Sequence, residues 1–80
     1  MKTPTQALLV IANCPDEACA NRIALAVVEA GLAACVNLLP RVQSVYRWQG
    51  AIESANEVPL LIKTTAGRYT ELETAIRELH

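Results

Sequence analysis

The stretch VYRWQGAIE, residues 45–53, decides the fold because it turns the chain back on itself. Gln49-Gly50 makes a two-residue turn, and glycine enters the left-handed backbone region that such turns require without steric cost. Tyr46 and Trp48 stand two apart before the turn, so in a strand they share a face, with Arg47 on the other. They are two of only three aromatic residues in a chain without phenylalanine, so the aromatic surface is concentrated in one patch. Upstream, LAACVNLLP and RVQSVYRW extend from Leu32 as one long segment, in which Pro40 removes a ladder donor and predicts a bulge or bend. Downstream, the return arm runs from Ala51 to Thr64, and Pro59 within EVPLLIKT fits only an unpaired position or a bulge.

Two helices flank this hairpin. The run ALLVIA, Ala7 to Ala12, is short and continuously apolar and reads as a strand buried on both faces, closed by a turn at Asn13-Cys14-Pro15. Pro15 suits a first helical position, with Asp16 and Glu17 in the first turn at the positive end of the dipole. Ile23, Ala26, Val27 and Ala30 then form one apolar stripe, and Gly31 supplies the left-handed stop. Cys19 is read as lying off that stripe. Thr64 or Thr65 is expected to cap a last helix carrying Tyr69, Leu72, Ile76 and Leu79 at helical spacing, with Glu73 and Arg77 paired on its outer face.

The order strand, helix, strand, strand, helix, with a right-handed crossover through the first helix, makes strands one and two parallel. If the third strand fills the gap between them, both helices cover one face of an antiparallel-dominated sheet. The fold class is therefore α+β, a ferredoxin-like, split βαβ sandwich in a single domain over residues 1–80. Such a sandwich wants a further strand on the free side of strand one, which is too apolar for a comfortable exposed edge.

A domain of 80 residues buries a modest fraction of its surface, so help from a partner chain is expected. With 52% hydrophobic and 4% aromatic residues, the core is built from Ala, Val, Leu and Ile. The net charge of −1 and the scattered Lys and Arg argue against nucleic acid as a partner. No apolar run approaches the ~20 residues that span a bilayer, and MKTPTQ has no cleavage-site pattern, so no membrane association and a cytoplasmic location are expected. Three cysteines leave at least one unpaired, and C-x4-C between Cys14 and Cys19 is neither a zinc-ribbon nor a thioredoxin spacing.

The segments ANCPDEACANRIA, AGLAACVNLLPRVQSVYRWQGAIE, EVPLLIKTTAGRY and RELH together resemble the CutA divalent-cation tolerance family along nearly the whole chain. LAACVN, SVYRW-x-G and LIKTT fall in the family's order and separations. The resemblance implies a tight homotrimer with long hairpin strands pairing between subunits, and a cytosolic role in tolerance of copper and other divalent metals. It implies no established enzymatic activity. In the family the segment ending here in RELH continues through a Pro-Tyr pair into another strand and a C-terminal helix. The expectation is thus a C-terminally incomplete CutA-like domain whose open edge is covered by another copy of the chain or by a swap.

The candidate metal ligands are Cys14, Cys35 and His80, holding copper or another divalent cation weakly, with no organic cofactor. Cys14 precedes Pro15 at a helix start, where the dipole favours thiolate. Cys35 lies in an apolar strand, where a free cysteine is ordinarily core, and its functional alternative is a soft ligand. His80 complements a helix C-terminus without any metal, while the resemblance places it at the family's His-Pro-Tyr step, where histidines are linked to metal binding. Tyr46 and Trp48, with Glu57 and Lys63 on the returning arm, are the candidate wall of a cleft between subunits, where a small molecule or partner segment would bind. The plainer reading of the same rings is subunit contact. No Ser-His-Asp set, glycine-rich phosphate loop or carboxylate cluster supports an enzyme.

Overall fold

The computed structural model describes residues 5–80, so the reading of MKTPTQ falls partly outside the described residues. The elements in order are β1 (Ala7–Cys14), α1 (Glu17–Glu29), β2 (Cys35–Leu38), β3 (Val42–Trp48), β4 (Ala51–Thr65), a 3-10 turn (Ala66–Arg68) and α2 (Tyr69–Leu79). β4 is the spine. Its C-terminal half lies between β1 and β2, antiparallel to both, and its N-terminal half pairs with β3. β1 and β2 are therefore parallel with β4 between them, as a split βαβ unit requires.

The hairpin closes at Trp48 opposite Ala51, with Gln49 at φ 49° and Gly50 at φ 81°, both left-handed. Such a turn matches the right-handed twist of its strands. Pro40 does break the long segment. Leu38 pairs with Leu60 and Val42 with Glu57, so four steps on one side answer three on the other, which is a bulge. Pro59 sits opposite this break, and its carbonyl accepts from Leu39 N at 2.9 Å.

One face of the sheet carries Val58, Leu60 and Ile62, which pack with Cys19, Ala20, Ile23 and Val27 of α1 and Leu72 of α2. Both helices lie on this face. Cys19 is thus core, only 6% exposed, and not off the stripe. Residues 19, 23 and 27 follow at successive i+4 spacings and extend the buried stripe back to the helix start.

Other local expectations need correcting. Asp16, not Pro15, opens α1: its backbone is extended and its carboxylate accepts from Cys19 N at 2.8 Å. Cys14 is the last residue of β1 rather than part of a turn, paired with Val58. Neither Thr64 nor Thr65 caps α2, which is entered through the 3-10 turn. Thr64 is buried, and its hydroxyl donates to the Leu32 carbonyl at 2.6 Å. β1 is not buried on both faces, since Leu9 and Ile11 are 60% and 65% exposed on the side that no helix covers. The Glu73–Arg77 pair is formed.

Candidate metal centre

Three elements end at one place. β1 delivers Cys14 as its last residue, the capped first turn of α1 delivers Cys19, and α2 ends against them at His80. Among the described residues these three form a group whose ligand atoms all lie within 4.8 Å of one another, with both thiols buried and the histidine exposed. The Asp16 cap fixes the Cys19 backbone. Pairing with Val58 holds Cys14 on the helix-covered face of the sheet. His80 Nε2 lies 3.0 Å from the Asn13 carbonyl oxygen, which only accepts, so in the neutral ring Nε2 carries the proton and Nδ1 the lone pair. A histidine oriented by such a carbonyl is the usual arrangement behind a ligating imidazole.

The electrostatics differ from the expectation for Cys14. Burial pushes its thiol from 9.0 up to about 11, and the neighbouring Cys19 adds to the effect. The dipole at the start of α1 does not offset this, because Cys14 is 1% exposed and lies in the strand before the cap. All three cysteines are free.

Cys35 stands apart. It pairs with Lys63 in the ladder, and alternate residues of β4 face opposite ways, so Cys35 and Lys63 share the face without helices while Cys14 and Val58 share the other. Of the three ligands expected from the sequence, Cys14 and His80 lie together and Cys35 lies apart, while Cys19, not among them, joins the group. The overlooked signal was the four-residue step from Cys19 to Ile23.

The residues proposed for a cleft share one face of the β4 ribbon but are strung along it. Trp48 and Tyr46 pair with Ala51 and Glu53, Glu57 pairs with Val42 and accepts from the Ser44 hydroxyl at 3.3 Å, and Lys63 is near the far end. At about 3.3 Å per residue, Trp48 and Lys63 are on the order of 40 Å apart. Lys63 instead lines a shallow hollow with Arg68 and Ala34.

A comparison with protein families matches residues 8–80 to CutA1 divalent ion tolerance protein. The chain belongs to the CutA1 family. It is 43% identical over 72 residues to the divalent-cation tolerance protein CutA of Thermus thermophilus, covering 90% of this chain and 70% of that one. Protein CutA of Homo sapiens is 47% identical over 68 residues, and the match spans 38% of its length. The chain therefore spans well under half of some curated relatives it matches. Among solved structures, the divalent cation tolerance protein Cut A1 from Thermus thermophilus superposes with a TM-score of 0.92 at 41% identity, covering 94% of this chain and 73% of that one. The periplasmic divalent cation tolerance protein CutA from Archaeoglobus fulgidus superposes at 0.89 with 31% identity, covering 94% and 72%. The ferredoxin-like architecture is that of the CutA1 proteins. No helix among the described residues is long and apolar enough to cross a membrane.

Proposed function

We propose that this chain is one subunit of a homotrimeric, cytoplasmic CutA1 protein that binds copper or another thiophilic divalent cation through Cys14, Cys19 and His80. The observation that carries the reading is the convergence of two thiols and an imidazole within 4.8 Å at the meeting point of β1, α1 and α2. Two sulfur donors and one nitrogen suit copper and zinc, and disfavour magnesium or calcium, which take oxygen. Binding at neutral pH is weak, because the Cys14 thiol must first give up a proton that its burial helps it keep. The same burial speaks for binding rather than catalysis, since a nucleophilic cysteine needs access and a lowered pKa. Three free cysteines agree with a reducing compartment.

The test is a titration of the reduced protein with Cu(I), Cu(II) and Zn(II), set beside Cys14→Ser, Cys35→Ser and His80→Ala variants. Cys14→Ser and His80→Ala are expected to weaken binding, and Cys35→Ser to leave it unchanged. Equal affinity in all four proteins would remove the site.

A second reading keeps the trimer and makes metal binding incidental: a scaffold whose intersubunit cleft takes a small molecule or partner segment against Tyr46 and Trp48. It is favoured by the exposure of these rings, 40% and 58%, on one face of a projecting ribbon. Trp48 fluorescence that answers a metabolite mixture and ignores metal ions would select this reading.

A further inference from the structure

The last turn of α2 is tied to the rest of the fold by partly buried apolar side chains and by two long-range hydrogen bonds. Leu72 is the one fully buried side chain of the helix, and Ala75, Ile76 and Leu79 pack at the margin of the core. Beyond Leu72 two long-range hydrogen bonds fasten the end. Arg22, on the exposed flank of α1, donates from Nη2 to the Leu79 carbonyl at 3.0 Å, and His80 Nε2 meets the Asn13 carbonyl. The carbonyls that end a helix have no acceptor role inside it and form the negative end of its dipole, so a guanidinium donor there satisfies both needs. Leu79 is the residue next to the imidazole. Arg22 itself offers no donor atom to a cation.

We propose that Arg22 is a positioning residue for the Cys14–Cys19–His80 centre: by gripping the Leu79 carbonyl it holds the last turn of α2 where His80 reaches both thiols, so cation binding and docking of that turn are coupled. The proposal rests on the metal reading above and adds its regulation. Coupling between two equilibria is reciprocal. A cation spanning the end of β1, the start of α1 and the end of α2 slows opening of the last α2 turn, and loosening that turn from the α1 side weakens the cation. Arg22 also lies close enough to favour the Cys14 thiolate, though this is the smallest influence on that thiol. Arg22→Lys keeps that charge, whereas Arg22→Gln keeps a hydrogen-bond donor without it.

The experiment uses the full reduced chain, with Cd(II) as the probe, thiolate-to-metal absorption as the binding signal and amide hydrogen exchange as the second readout. In the wild type, Cd(II) is expected to slow exchange at residues 76–80 by roughly fivefold or more. Arg22→Ala is expected to speed that exchange without metal and to weaken Cd(II) by a similar factor, while the absorption per bound ion stays the same because both thiols still ligate. Arg22→Lys and Arg22→Gln should each recover part of the loss if the grip on Leu79 is what matters. His80→Ala should still take up Cd(II) through its thiols but show no protection of the last turn. Unchanged affinity in Arg22→Ala, recovery by Lys alone, or Cd(II) uptake that leaves exchange at residues 76–80 unmoved overturns the proposal while the metal site stands. A wild-type chain that takes up no Cd(II) overturns both.

Discussion

Cys14 shows how far one residue's chemistry depends on a single register step. As the residue before a helix it would be an activated thiol, and as the last paired residue of β1 it is a buried one with its pKa raised to about 11. The unfolded chain releases this proton near 9.0 and the folded chain only near 11. Its contribution to stability is therefore complete below pH 9 and is lost as pH rises toward 11. Urea midpoints of the reduced, metal-free protein should fall across that window, and fall less steeply in Cys14→Ala. Parallel curves for the two proteins would show that the thiol is not held protonated by the fold.

Among the elements, α1 is closed at both ends by hydrogen bonds, of which the sequence announced only the C-terminal one, through Gly31. At its C-terminus Gly31, at φ 72°, donates to Val28, while Leu32 donates to Val27 and joins it in the core, which is a Schellman closure. At its N-terminus the Asp16 carboxylate holds Cys19 N. Asp16→Ala should cost about 1 kcal/mol in denaturant unfolding. It should also weaken cation binding, because the same hydrogen bond fixes the backbone of a ligand. Loss of stability with unaltered affinity would separate the cap from the site. α2 lacks any side-chain cap, which suits an element fastened mainly by Leu72 and by its final turn.

At the scale of the whole molecule, the helices cover one face of the sheet and leave Leu9 and Ile11 exposed on the other, while Val45, Trp48 and Ile52 are exposed on a ribbon whose length makes the particle 48 Å long and 20 Å thick. So much apolar surface on so small a domain favours burial between copies. Sedimentation at micromolar concentration should show a trimer, and Leu9→Lys with Ile11→Lys should shift it toward smaller species. A stable, cooperatively unfolding monomer with β1 open to water would count against assembly.

What the sequence determined by itself is local. The turn at Gln49-Gly50, the bulge at Pro40 and the stop at Gly31 each depend on backbone preference within a few residues, whereas the stripe expected in α1 holds at Ile23 and Val27, fails at Ala30, which is exposed, and misses Cys19, Ala20 and Ala24. That one face of β1 is left without a helix could not be read this way, because an apolar run looks the same whether one face or both are covered. The candidate metal centre depends on tertiary structure. Asn13 and His80 meet across 67 residues, and whether Cys19 or Cys35 joins Cys14 there depends on which face of β4 each is packed against. Spacing along a chain names the candidate ligands, but only the parity of a sheet and the docking of a helix decide which of them share a volume small enough for one ion.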